Sequence, residues 1–316
     1  MRIGIPKGLL YCRYHTFFET FFSKLGSEII VSEQTNKDIM DMGVEFCVDE
    51  ACLPVKVFHG HAASIKDRCD YLIIPRIMSI CKKEYICPKF CGLPEMIIHS
   101  IPHVPKVSME PIYMQNEKEF FKWCFSAGSA VTKNSAKIKK AFISAKKAQK
   151  KSRTGIIEPG QKLTVMLAGH PYVIFDEYLN MGIVNKLRAK GIGIITEEFV
   201  SDSETCEEVK KLVKKPFWTF QRRIFGAACV LLRHKRIDGI IYLSSFACGI
   251  DSVIIDLIRY CIGHFPMLVI KLDEHTGEAG MDTRVEAFID MLERRVLNEN
   301  YNPSPWECVF SGQNPV

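Results

Sequence analysis

Short apolar runs recur along this chain, each followed by a Gly- or Pro-marked turn and then by apolar residues at helical spacing. Arg2–Ile5 is such a run; Lys7-Gly8 turns the chain, and residues 10–25 carry a helical pattern. Residues 28–32 read as a second strand, 36–42 as a short helix and 54–65 as a longer one. Residues 71–74 form a buried-strand candidate stopped by Pro75, with further helices expected over 93–100 and 117–125. The order restarts with "LTVMLAGHP", a strand and turn, and "FDEYLNMGIVNKLRAKG", a helix closed by Gly191. "GIGII" is a strand, and "DGIIYLSSFACGID" is a strand running into a loop before a helix over 252–261. "FPMLVIKLDEHTGEAGMD" adds a strand, a polar loop and a helix from about 283 to 297. Strand–loop–helix units of this length favour parallel sheets, because each crossover needs a helix to return the chain.

We therefore expect an α/β fold of two doubly wound, parallel-sheet (Rossmann-like) domains over residues 1–127 and 163–300. A basic helical connector over 128–162 joins them, and 301–316 reads as an irregular tail. With 316 residues, 47% of them apolar, the chain can supply two cores. The net charge of +6 comes from one place. Residues 133–153 hold nine basic and no acidic residues; without them 33 basic face 36 acidic, a net of −3. Strong helix formers make this a solvated connecting helix, with an acidic partner or a CoA-type phosphate as the alternative contact. No aromatics interleave the charge, so nucleic acid is not expected. No apolar run reaches the length of a membrane span. The start lacks the apolar core and cleavage site of a secretory signal, so we expect a cytoplasmic protein.

That compartment argues against structural disulfides for the thirteen cysteines. Cys124, Cys229 and Cys261 lie in apolar helical patterns and read as core thiols. Others sit among Gly, Pro and acidic residues: Cys47 and Cys52 around "VDEACLP", Cys81, Cys87 and Cys91 in "CKKEYICPKFCGLP", and Cys248 in "SSFACGIDS". Cys52, Cys87, Cys91 and Cys248 each lie near an expected helix start, where free N–H groups and the helix dipole stabilise a thiolate or an anionic cluster. Gly92 and Gly249 would let backbone N–H groups approach the sulfurs. Spacing alone leaves a zinc clip, core thiols, disulfides and an iron–sulfur cage open, although C-x3-C without a second close pair is a weak zinc pattern.

Several stretches resemble a known family. "MRIGIPKGLL", "VDEACLPVKVFHGH", "IPRIMSICKKEYICPKFCGLPEMI", "GHPYVIFDEYLNMGI", "SSFACGIDS" and "LDEHTGEAGMDTRVEAFIDML" are similar to the acyl-CoA dehydratase activase-related proteins (DUF2229). These are relatives of the activase and iron–sulfur subunits of 2-hydroxyacyl-CoA dehydratases and of double-cubane cluster proteins. The resemblance implies an iron–sulfur cluster, [4Fe–4S] in the simplest case, in the cleft between the two domains, with Cys52, Cys87, Cys91 and Cys248 as metal and cofactor ligands. Ligation by Cys47 or Cys81 as well would allow a larger, double-cubane type of cluster. It further implies a reductase or dehydratase-type lyase, or an electron-transfer component. Such a protein accepts low-potential electrons from an ATP-dependent activator in trans and passes them to an acyl-CoA, another small molecule or a partner, in a homo- or hetero-oligomer. The chain contains no G-x-x-x-x-G-K-[ST] loop and no G-x-G-x-x-G fingerprint, which fits the accepting side of that exchange. The alternative is a non-catalytic binding subunit of an acyl-CoA enzyme complex, stabilised by zinc or a cluster. No catalytic residue is assigned.

Softer candidates complete the reading. His59 and His61 are two apart and do not share a helical face, so a structural role is expected. Asp251 and Ser252 suit the cap of the following helix or bonds to a cluster. Asp273, Glu274, His275 and Glu278 gather polar groups at a strand end, and His170 and Tyr172 in "GHPY" could face a site.

Overall fold

The computed structural model describes residues 1–160 and 162–297, so the expected tail over 301–316 lies outside the described residues. It is a mixed α/β protein with parallel sheets, roughly half helical, and it divides into two units, Met1–Thr154 and Gly155–Val316. No helix among the described residues is long and apolar enough to cross a membrane.

In the first unit, β1 (Arg2–Ile5) pairs in parallel with β2 (Glu28–Val31) on one side and β3 (Tyr71–Leu72) on the other; β5 (Lys106–Val107) extends the sheet beyond β3. A second small parallel pair joins β4 (Arg76–Ser79) to β6 (Pro111–Tyr113). Helix α1 (Tyr11–Lys24) buries Phe17, Phe18, Phe21 and Phe22. Two later helices close over this face, α5 (Glu117–Ser129) and α6 (Ser135–Lys151), through Phe17–Phe120 at 4.7 Å, Phe18–Trp123 at 5.5 Å and Phe120–Phe142 at 5.7 Å between ring centroids.

Helix α6 is the basic segment, and it belongs to this unit. Its lysines mostly face outward, but Ile138, Ala141, Phe142 and Ala145 are buried. The Gln149 amide accepts from Phe17 N–H (3.0 Å) and donates to the Arg13 carbonyl (2.8 Å), two groups that an uninterrupted helix pairs with each other. Lys137 donates to the Leu25 carbonyl at the other end of α1 (2.9 Å).

Helices α2 (Lys37–Glu45), N-capped by Asn36, and α3 (Leu53–Ile65) cross with almost no side chain between them. A Cβ on Gly60 would lie 1.8 Å from the Ile39 carbonyl oxygen, and one on Gly43 2.3 Å from that of Lys56. This close crossing fixes both ends of the loop carrying Cys47 and Cys52. Helix α4 (Lys89–Ser100) follows the Cys81–Cys87 loop.

The second unit holds one sheet in the order β11-β10-β8-β9-β7. Strands β8 (Thr164–Gly169), β9 (Gly193–Ile195), β10 (Gly239–Ser245) and β11 (Met267–Leu272) are parallel, while β7 (Ile157–Glu158) runs antiparallel along β9. Every residue of β10 is buried, as expected of a strand covered on both faces. The helices are α7 (Pro171–Ile174), α8 (Ile183–Ala189), α9 (Asp202–Lys210), α10 (Thr219–Arg233), α11 (Gly249–Ile262) and α12 (Glu278–Leu297). From β8 the chain builds to one side with β9, then crosses to the other with β10 and β11. The carboxyl ends of β8 and β10 therefore flank the point where strand order reverses, the place where open α/β sheets form ligand crevices.

Candidate functional site

The local sequence at that reversal point brings three donor side chains together. Strand β8 ends on Gly169 (φ +146°), where a Cβ would meet the Leu243 carbonyl oxygen of β10 at 2.4 Å, so only glycine lets the strand ends close in this way. His170 follows and starts the short α7, with Pro171 at its first position. Its ring is buried, stacked on Tyr172 (4.7 Å between centroids, 11° between planes) and edge-on to Phe220 (5.8 Å). On the neighbouring strand, a turn through Ala247 (φ +59°) delivers Cys248 as the residue that opens α11, and Asp251 lies in the first turn, fully buried.

His170 Nε2 is 3.3 Å from Asp251 Oδ1 and 3.9 Å from Cys248 Sγ, and the three donor atoms lie within 4.8 Å of one another. Tyr242 O–H donates to Asp251 Oδ1 (2.9 Å). Burial disfavours an imidazolium, but the Asp251 carboxylate and then Cys248 outweigh it and raise the His170 pKa to about 10. Burial pushes Asp251 upward, yet His170 and the Tyr242 hydroxyl hold its pKa below the usual carboxylate value. Burial and the same carboxylate push Tyr242 well up, so its proton stays in place to be donated. Gln221 Nε2 lies 3.0 Å from His170 Nε2 and donates to Asp251 Oδ1 at 3.4 Å. His170 Nδ1 and Asp251 Oδ2 are buried without a hydrogen-bond partner. Gln221 also lines a pocket of about 330 Å³ between Trp218 and Ile254.

The remaining expected ligands lie in the first unit. Cys52 is half-buried and opens α3 in an extended conformation (φ −69°, ψ 150°), with Pro54 in the first turn behind it. Cys87 precedes Pro88, the residue that opens α4, and Cys91 lies in that helix's first turn with its N–H on the Pro88 carbonyl (2.9 Å); both are half-buried. Arg76 donates to the Cys91 carbonyl (2.9 Å) and pairs with Glu95, which fixes the start of α4. Burial pushes the Cys47 thiol up, with Lys56 and Lys89 pulling it down and Cys52 adding to the rise. Those couplings link the loop before α3 electrostatically to the start of α4, around a buried Lys56. A Cβ on Gly92 would meet nothing within 4 Å, so the space beside Cys91 is open.

Among the described residues, Cys52, Cys87 and Cys91 do not form a group with donor atoms within 4.8 Å; the one such group of three is His170, Cys248 and Asp251. A single tetrahedral zinc holds its sulfurs about 3.8 Å apart, so these three thiols are not a preformed zinc clip. Cys248 belongs to the second unit, with a histidine and a carboxylate as company.

The softer candidates resolve individually. His61 Nδ1 and Nε2 bond Ser32 Oγ (2.9 Å) and Thr35 Oγ1 (3.0 Å), and burial, helped by Lys7, lowers its pKa to about 3. His59 Nδ1 bonds the Val55 carbonyl (2.7 Å) inside α3. Asp251 is not a helix cap: its bonds go to Tyr242 and His170. Ser252 donates to the Cys248 carbonyl (3.2 Å). Asp273 closes its own loop through His275 N–H and Thr276 Oγ1, and Glu278 pairs with Lys186.

Two α/β units with half-buried thiols at helix starts, and a histidine–cysteine–carboxylate group where the second sheet reverses, define the class. The family described as the CoA enzyme activase uncharacterised domain (DUF2229) matches residues 2–200, and the chain belongs to that family. The match includes Cys52, Cys87, Cys91 and His170 and stops short of Cys248 and Asp251. No curated protein matches significantly. Among solved structures, a LacI family transcriptional regulator from Arthrobacter sp. FB24 in complex with lactose is 12% identical, covering 93% of this chain and 90% of its own, with a TM-score of 0.20. A second structure of a LacI family transcriptional regulator from Arthrobacter sp. FB24 is 11% identical, covering 93% of this chain and 89% of its own, with a TM-score of 0.22. At those scores the likeness carries no argument.

Proposed function

We propose that the protein serves a CoA enzyme of the 2-hydroxyacyl-CoA dehydratase type. In this reading it carries an iron–sulfur cluster, [4Fe–4S] in the simplest case, on Cys52, Cys87 and Cys91. It accepts low-potential electrons from a separate ATP-dependent activator and passes them to a substrate or partner. The observation that carries the reading is the placement of three half-buried thiols at the starts of α3 and α4. The donor set fits in kind: thiolates are the usual ligands of such clusters, and a cluster spreads them over separate irons, farther apart than one zinc would. The cluster would supply one-electron chemistry at low potential. Around it, the positive ends of two helix starts and Lys89 in the first turn of α4 would offset the negative charge of thiolates. Gly92 leaves room beside Cys91, and Arg76 holds the Cys91 backbone. Family membership supports the link to a CoA enzyme.

Anaerobic purification followed by iron, sulfide and zinc analysis tests this. The expected result is brown protein with near-stoichiometric iron and sulfide, greatly reduced in Cys52→Ala, Cys87→Ala and Cys91→Ala and unchanged in the buried-core variant Cys229→Ala. Zinc without sulfide, lost in Cys52→Ala, Cys87→Ala and Cys91→Ala, would replace the proposal with a metal-stabilised, non-catalytic binding subunit of an acyl-CoA enzyme complex.

A further inference from the structure

The geometry points to a second, separate metal site: we propose that His170 Nε2, Cys248 Sγ and Asp251 hold a single divalent ion of the zinc class where the second sheet reverses, with one coordination position left open. Three features distinguish this group from the two other roles such residues take.

A cysteine–histidine–aspartate relay uses both ring nitrogens, one facing the nucleophile and the other the carboxylate. Here the carboxylate and the thiol both face Nε2, at 3.3 and 3.9 Å, while Nδ1 has no partner. Donors that converge on one point describe coordination, not proton relay. A plain buried ion pair is the second alternative, and it leaves two things unexplained. It leaves Asp251 Oδ2, fully buried, without a hydrogen-bond partner, and it engages Cys248 only through the long 3.9 Å contact to His170 Nε2.

The spacing suits one ion. Bonds of about 2.0–2.1 Å to nitrogen and oxygen and about 2.3 Å to sulfur, set tetrahedrally, separate N from O by about 3.4 Å and N from S by about 3.6 Å. The observed 3.3 and 3.9 Å need only a small closing of the thiol. One nitrogen, one sulfur and one carboxylate form the mixed donor set that zinc accepts, and three protein ligands with an open fourth position are the pattern of sites that bind water or substrate. Tyr242 and Gln221 supply the outer hydrogen bonds that orient the carboxylate. A Cβ on Gly249 would meet nothing within 4 Å, so the protein leaves space beside Cys248. In this proposal Cys248 serves this ion in place of the cluster expected from the sequence.

Cobalt(II) titration of the full-length, chelator-treated protein tests the assignment. It is done in a Cys52→Ala/Cys87→Ala/Cys91→Ala background, so that its result does not depend on the fate of the iron–sulfur reading. We expect one cobalt per chain, displaced by zinc, with a thiolate-to-cobalt charge-transfer band and the intense visible bands of a four-coordinate ion. Adding Cys248→Ser should abolish the charge-transfer band. Asp251→Asn, which keeps a partner for Tyr242, and His170→Gln should each weaken binding by at least about 100-fold, beyond the effect of losing an outer hydrogen bond. Helical circular dichroism checks that each variant is folded, and any one of the three folded variants decides the point. No stoichiometric binding by the background protein, or a cobalt spectrum indifferent to Cys248→Ser, overturns the proposal.

Discussion

Acidification should destabilise the first unit through His61. Both ring nitrogens are bonded, to Ser32 and Thr35, and the side chain is fully buried with Lys7 close by, so the folded protein excludes the extra proton down to about pH 3. The unfolded chain takes it up near pH 6.5. Between those values the unfolded state binds more protons, so stability is full above about pH 6.5 and falls as pH drops. One proton gives a slope of about 1.4 kcal/mol per pH unit, which amounts to a loss of about 2 kcal/mol at pH 5 relative to pH 8. With a urea dependence of about 2 kcal/mol per molar, the midpoint should fall by about 1 M. Trp123, buried in the first unit, reports this unfolding by fluorescence once Trp218 and Trp306 are replaced by Phe. Burial also lowers the His59 pKa, against the Val55 carbonyl, so the wild-type slope contains both residues. Comparison with His61→Gln isolates the single residue: the variant should start less stable but lose about one proton's worth of slope. Equal slopes in the two proteins between pH 5 and 6.5 would refute the reasoning.

Gly60→Ala should cost about 3 kcal/mol or more, because its Cβ would sit 1.8 Å from a backbone oxygen and one of the two helices must move; an unchanged urea midpoint would contradict the crossing described. In the basic helix, Gln149→Ala should destabilise by about 2 kcal/mol, since it leaves Phe17 N–H and the Arg13 carbonyl without the amide that bridges them. Replacing Lys146, Lys147, Lys150 and Lys151 together with Gln should change stability by less than about 1 kcal/mol, because in the Lys146–Glu117 pair Glu117 is exposed and Lys146 half-buried, which leaves the pair screened by solvent. The opposite order in thermal or urea unfolding would mean that charge, not the apolar face, holds α6 in place. If α6 also docks an acidic partner, the same four substitutions should weaken that binding and its salt dependence together.

The strands were legible wherever an apolar run was long and bounded by a turn: β1, β2, β8, β10 and β11 lie where periodicity puts them. Strands β6 and β7 carry too few residues for any period to register, and β4, as long as β1, was hidden by following directly on Pro75 and mixing Arg76 and Ser79 with its apolar residues. Residues 175–191 read as one helix, yet only Ile183–Ala189 is helical there, because Asp176 bonds the following N–H groups and Gly182 adopts φ +67°. The site was half visible. Cys248 stood out by its place before a helix, and His170 by its place after a strand. Asp251 read as a cap because its neighbours in sequence suited one; what recruits it inward is Tyr242, nine residues upstream on the buried strand. The meeting of His170 with Cys248, 78 residues apart, follows from β8 and β10 being adjacent, and strand order is not written in local pattern.

Strand β7 has a consequence for how this chain can be cut. It lies only a few residues past the junction at Gly155 and pairs Ile157 with Ile195 and Glu158 with Ile194, held by the Arg188–Glu158 pair. It thereby covers the free edge of β9, whose three residues are all buried. A fragment beginning at residue 163 would keep every helix and parallel strand of the second unit yet lose this cover. The bared Gly193–Ile195 backbone, which carries Ile194 and Ile195, would then be open to pairing with another copy, so such a fragment should associate or precipitate more readily than one beginning at Gly155.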